Sequence, residues 1–125
     1  MEYKQNFTDL YQDAKKKYNI KQAPKLTLRK DVDNAQKIFG RTAHYDPSNS
    51  EIVIFITNRH PKDILRSYCH EIIHHIQNER GDLEMGDASS PTYAQDDDHM
   101  RKMEKEAYLK GNLLLRDFED NFKYQ

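Results

Sequence analysis

Cysteine is nearly missing from this chain, which has only Cys69 among 125 residues. An internal disulfide is therefore excluded, and the usage fits a reducing compartment. Long hydrophobic runs are missing too: no window approaches the roughly 20 apolar residues that a membrane span needs. The N-terminal Met1-Glu2-Tyr3-Lys4-Gln5 has no apolar stretch of the kind a secretory leader uses. A soluble, cytoplasmic protein without membrane contact is expected. Nor is there an excess of one charge, because 20 basic residues stand against 21 acidic ones for a formal net of -1. That balance gives no overall basic field of the kind that draws nucleic acid, so no nucleic-acid partner is expected. The local basic runs, Lys15-Lys16-Lys17 and Lys25 to Lys30, read as solvated faces. Internal repeats are absent at solenoid periods, and only Gln95 to Asp98 is compositionally biased.

What is present is polar. Hydrophobic residues make up 36% and charged residues 33%, and the mean hydropathy is -1.07. Such a chain has a thin core for its length, and a bound metal would help it stay folded. Its size fits one domain over residues 1–125 with one modest core and one active site, expected as a monomer.

Phe7, Leu10, Tyr11, Ala14 and Tyr18 recur at helical spacing and predict a first helix ending near Asn19, capped by Asn6 or Thr8. Lys25 to Arg29 and Arg41 to Tyr45 read as short strands. The turn formers Asp46-Pro47-Ser48-Asn49-Ser50 lead into Ile52 to Ile56, the clearest strand, being β-branched, aromatic and short. These predict a small, mostly antiparallel, hairpin-rich sheet. A second helix opens at Pro61, capped by Asn58 or His60, and runs to about Gly81. Residues 82–97 read as a loop, and Met100, Met103, Ala107, Gly111, Leu114, Phe118 and Phe122 predict a long last helix starting near Asp98 or His99. The fold class is α+β, with three helices and a short sheet.

The second helix carries His70-Glu71-Ile72-Ile73-His74. Two histidines four apart on a helix face the same way, roughly 5 to 6 Å apart, so two imidazoles can reach one metal ion. Glu71, about 100° round the helix, can stand beside the metal and take a proton from the water it activates. With His70 at 0°, the apolar Leu65, Tyr68, Ile72 and Ile76 fall at roughly 160° to 240°, so the metal face opposes the core face. The expected metal is one zinc ion.

A catalytic zinc takes three protein ligands and a water, so a third donor has to come from elsewhere. Asp96, Asp97, Asp98, His99, Glu104 and Glu106 are the downstream candidates. On the last helix Glu104 falls on the inward edge between Met100, Met103 and Ala107, where an unpaired carboxylate is costly, and Glu106 falls mostly outward. Glu104 is therefore the expected third ligand, with Glu106 the alternate. His75, Asn78 and Tyr108 stand close enough in sequence to support the ligands or face substrate, and Arg41 and Tyr45 are weaker candidates for substrate contact. Cys69 adjoins His70 and reads as a half-buried packing residue rather than a nucleophile. A sheet edge near the motif helix would let an extended peptide add as a strand.

The run from the strand through His70-Glu71-Ile72-Ile73-His74-His75 to Glu104-Lys105-Glu106-Ala107-Tyr108 and Leu113-Leu114-Leu115 resembles the compact gluzincin metallopeptidases, in particular the ImmA/IrrE-like and SprT-like groups. The Glu-x-Glu-Ala segment is nearer the first pattern, and Phe39-Gly40-Arg41 is similar to the second. The resemblance implies a minimal zincin-like fold and a zinc held by His70, His74 and a downstream glutamate, with Glu71 as general base. It also implies a peptide or protein substrate. Tyr108 stands where the ImmA/IrrE pattern has asparagine, and no DNA-binding appendage of longer relatives is present in this sequence. Stand-alone domains of this kind occur in phage genomes. The rival reading is a noncatalytic, zinc-stabilised protein-binding module, whose fourth ligand would be His99 or an aspartate of the 96–98 run.

Overall fold

The first apolar series folds as α1 (Tyr3–Tyr18). It begins before Asn6 and Thr8, so neither is its cap, and a Gln5 to Asp9 side-chain hydrogen bond of 2.9 Å supports the opening turn. The helix ends where Asn19 turns left-handed (φ 54°) and its N–H donates to Lys15 O at 2.9 Å. The computed structural model describes residues 3–33, 42–83 and 98–123. Phe39-Gly40-Arg41, Asp96, Asp97 and the Phe122 side chain lie outside the described residues.

Three strands follow: β1 (Lys25–Arg29), β2 (Ala43–Asp46) and β3 (Glu51–Phe55). The expected turn closes a β2–β3 hairpin, with Asp46 accepting from Ser48 N at 3.0 Å and from Asn49 Nδ2 at 2.7 Å. β1 pairs with β3 in parallel, giving the order β1-β3-β2. The sheet is therefore mixed rather than mostly antiparallel. β3 is buried from Ile52 to Phe55 and takes the centre, so β1 is left the far edge, which the chain reaches before it enters the hairpin.

The motif helix is α2 (Pro61–Glu79). Of the two candidate caps His60 serves, its Nδ1 accepting from Lys62 N at 3.1 Å, with Pro61 in the first turn. At the other end Gly81 (φ 82°) reverses the chain so that Gly81 N reaches Asn78 O at 3.0 Å and Asp82 N reaches Gln77 O at 2.9 Å, a Schellman closure. The last helix is α3 (Asp98–Lys123).

The core gathers round α2. Ile64, Tyr68, Ile72 and Ile73 meet Ile52 and Ile54 of β3, Phe7, Leu10 and Ala14 of α1, and Ala107, Leu114 and Leu115 of α3. Cys69 is not half-buried but fully enclosed, at 0% exposure, and burial pushes its thiol well up, so no thiolate is available for a nucleophile. Polar ties hold α1 and the segment after it: Lys17 pairs with Asp117 of α3, and the Glu79 carboxylate accepts from Lys21 N at 3.0 Å and Gln22 N at 2.9 Å.

The two long helices come into close backbone approach at Gly111. A Cβ there would stand 3.1 Å from His70 Cα and N and 3.2 Å from Cys69 C, all backbone atoms that cannot rotate away. In an open helix, Gly to Ala gains up to about 1 kcal/mol. Here overpacking against a rigid partner, about 1 to 3 kcal/mol, outweighs that gain. Gly111→Ala is expected to destabilise the chain by about 1 to 2 kcal/mol net. A lowered denaturant midpoint with an unchanged slope checks it, and an increase in stability would show that the helices are not in contact there.

Candidate metal centre

On the side of α2 away from the core, a cavity of about 880 Å³ opens between β2, α2 and α3. His44 and Tyr45 line it from β2, His70, Glu71 and His74 from α2, and Glu104 and Tyr108 from α3. The four-residue spacing brings the two motif rings edge to face, with centroids 4.9 Å apart and planes at 80°. Ligand atoms of His70, Glu71 and His74 all lie within 4.8 Å of one another, a group that could hold a metal ion.

Glu104 comes to this group from the opposite helix. Its Oε1 is 2.7 Å from His74 Nε2 and its Oε2 is 3.5 Å from His70 Nε2. Two ring nitrogens thus converge on one carboxylate. Around a tetrahedral ion with bonds of about 2.1 Å, neighbouring ligand atoms stand roughly 3.4 Å apart. The His70 separation already has that value and the His74 separation is a direct hydrogen bond, so a shift of less than about 1 Å would make room for an ion. The donor set, two imidazoles and a carboxylate, is one that zinc accepts. Glu104 is on the cavity rim with 49% of its side chain exposed, not pointed into the core as its position on the helix wheel suggested. Met100, Glu104, Ala107 and Tyr108 of α3 line the cavity together, so that edge of the helix faces the cavity instead.

The charges answer one another. Hydrogen bonds from His70 and His74 hold the Glu104 carboxyl well below the usual range. Burial alone would lower the His74 pKa, but hydrogen bonds to Glu104 and Gln77 and the Glu71 charge outweigh it, and the net shift is upward. Burial pushes the Glu71 carboxyl up against the opposing pull of His74 and His70. The two glutamates are thereby driven apart in basicity.

The remaining candidates divide. Tyr108 joins the site, its ring tilted against His70 at a centroid distance of 4.4 Å while the side chain stays open to solvent. His75 does not line the cavity. It is buried, its Nδ1 accepts from Tyr45 Oη at 2.8 Å and its Nε2 faces Gln22 O at 2.7 Å, so both ring nitrogens are engaged in joining α2 to β2 and to the segment before β1. Asn78 donates to Tyr45 Oη at 3.0 Å and to Pro47 O at 3.2 Å. His99 Nε2 faces Asp82 O at 2.6 Å, and the Asp98 side chain is 88% exposed.

Glu106 does not face mostly outward. Its side chain is 21% exposed, and it accepts from Gln77 Nε2 at 2.8 Å, Arg80 Nη2 at 2.7 Å and Lys110 Nζ at 2.7 Å. The Arg80 guanidinium, then Lys110 and Gln77, hold its carboxyl down to about 2. The turn after α2 brings Arg80 over this part of α3, which no pattern within α3 itself reveals.

Sequence reasoning missed two residues of the site. Gln77 is fully buried with its Oε1 2.8 Å from His74 Nδ1, and its spacing of three from His74, near 340° on the wheel where His70 is about 0°, was a legible signal. Arg59 braces the cavity wall by donating to Thr42 O, Phe55 O, Asp63 O and Ser67 Oγ at 2.7 to 3.0 Å, through contacts that join separate elements and leave no local pattern. Comparison with known protein families, curated proteins and solved structures returns no match for this chain.

In the metal-free chain, the pairing of protonated His74 with ionised Glu104 has a definite pH window. Its stabilisation is lost as pH rises through the His74 pKa, raised above 6.5, and as pH falls through the Glu104 pKa, lowered below 4.5. A metal needs the same imidazole unprotonated. Zinc affinity is thus expected to climb across the pH range in which metal-free stability declines, above 6.5. Chelator-competition titrations and thermal melts of the chelated protein, both run against pH, check the opposed trends. Two parallel trends would exclude shared use of His74.

Proposed function

We propose that this chain is a zinc-dependent peptidase of the compact gluzincin type, with zinc held by His70, His74 and Glu104 and with Glu71 as general base. The observation that carries the reading is the position of Glu71. It is a carboxylate only 7% exposed, lining the cavity within 4.8 Å of both imidazoles, while Glu104 makes the direct contacts to their nitrogens. A purely structural site has no use for such a group.

Bound zinc would supply a Lewis acid that lowers the pKa of a water towards neutrality and polarises a carbonyl. The chain does the rest. Glu71, with its basicity raised by burial, takes the proton from the attacking water and delivers it to the departing amine, the matching that efficient general base catalysis requires. Tyr108, exposed at the cavity and beside His70, is the side chain we assign to steady the developing oxyanion, since His75 has both ring nitrogens engaged elsewhere. An extended peptide substrate is proposed to add to β2, because β3 is central, β2 is an edge strand and His44 and Tyr45 line the cavity. No described helix is long and apolar enough to cross a membrane, which is compatible with a peptide substrate met in water.

Metal content by mass spectrometry and cleavage of a peptide library test the proposal together. Wild type is expected to hold one zinc and cleave, Glu71→Gln to keep the zinc and lose about 10² to 10⁴ in rate, and Glu104→Ala to lose the zinc. Zinc retained with no cleavage by wild type would favour the noncatalytic binding module. Full cleavage by Glu71→Gln would rule out Glu71 as the general base and with it the peptidase mechanism.

A further inference from the structure

Gln77 has no exposed surface, yet its amide has a partner in every direction. Nε2 donates to Met103 O at 2.9 Å and to Glu106 Oε1 at 2.8 Å, while Oε1 stands 2.8 Å from His74 Nδ1. Both amide hydrogens therefore have acceptors on α3. Flipping the amide would set its oxygen against a carbonyl and a carboxylate, and its NH2 against the ring, so the orientation shown is strongly favoured. With Oε1 facing it, His74 must carry a hydrogen at Nδ1. Nε2 donates to Glu104 at 2.7 Å in the metal-free chain, and once that second hydrogen is lost it is Nε2 whose lone pair faces the cavity.

Glu106 is held just as firmly. Arg80 reaches both its oxygens, Nη2 to Oε1 at 2.7 Å and Nη1 to Oε2 at 3.3 Å, and Lys110 adds a contact of 2.7 Å to Oε2. Both oxygens are thus engaged by donors, and one of them anchors the Gln77 amide. We propose that Gln77 is a positioning residue that fixes the metal-binding tautomer of His74, and that Glu106 bears on the metal only through Gln77 rather than as a ligand.

The inference rests on the metal-site reading above, and its test separates the two. Zinc affinity is measured by chelator competition on the full chain for wild type, Gln77→Met, Glu106→Ala and the double variant. Methionine matches glutamine in length but accepts no comparable hydrogen bond from the ring. Gln77→Met is expected to weaken zinc binding by about 10- to 100-fold, Glu106→Ala by less, and the double variant no more than Gln77→Met alone. Unchanged affinity in Gln77→Met would overturn the proposal. So would a Glu106→Ala loss that persists undiminished in the Gln77→Met background, which is what a ligand would give. A wild type without zinc affinity sinks both this inference and the site, whereas zinc binding without cleavage sinks the peptidase alone. Nitrogen-15 NMR of the zinc-loaded wild type is independent of how the variants fold: a hydrogen on His74 Nδ1 supports the assignment, and zinc on Nδ1 overturns it.

Discussion

Because Gly111 lacks a side chain, α3 can lie on the bare backbone of α2 at Cys69 and His70, where a single added carbon would stand at 3.1 Å. What α3 brings to the site follows from that closeness. Two turns before Gly111 on α3 is Glu104, and one turn before it are Ala107, fully buried, and Tyr108, whose ring lies on His70. If the helices stood a methyl group further apart, the Glu104 carboxylate would lose its 2.7 Å contact to His74, and the Gln77 amide would lose its two acceptors on α3. The candidate metal site and the helix interface are thus one construction.

Much of this was legible in the residues alone. The caps, the Pro61 start and the apolar period of α2 are local signals, and the four-residue spacing of His70 and His74 needs only helical geometry to place both rings together. The wheel placed Glu104 inward and Glu106 outward, whereas Glu104 is the more exposed of the two and it is Glu104 that meets the histidines. What escaped was nonlocal. Glu104 sits on a rim instead of in the core, and Glu106 is covered because Gln77 of α2 and Arg80 of the turn after it reach across. The parallel pairing of β1 with β3 is likewise a choice between edges that no pattern within β1 records. His75 shows the opposite case. Adjacent to the motif, it invited a role in the site, yet its wheel position near about 140° already leaned towards the core side, where it meets Tyr45.

The same helix also holds two carboxylates at opposite basicities by surrounding them differently. Glu71 is enclosed and made more basic, while Glu104, half open to solvent, is held ionised by two imidazoles. Divergent environments for like groups are how one site assigns a proton carrier and a permanent anion without changing residue type. Around them, His75, Asn78 and Tyr45 moor the β2 edge to α2, and Arg59 moors its beginning at Thr42 to the first turns of α2. The rim that would receive a peptide is therefore tied at both ends to the helix that carries the histidines.

The chain's single sulfhydryl lies at the crossing of the two long helices. Cys69 has no exposed surface, its backbone abuts Gly111, and burial keeps its proton in place. No reagent in solution can meet that sulfur while α2 and α3 remain in contact. Alkylation of the native protein is thus a clock for the parting of the two helices, and it counts the same event that would scatter His70, His74 and Glu104.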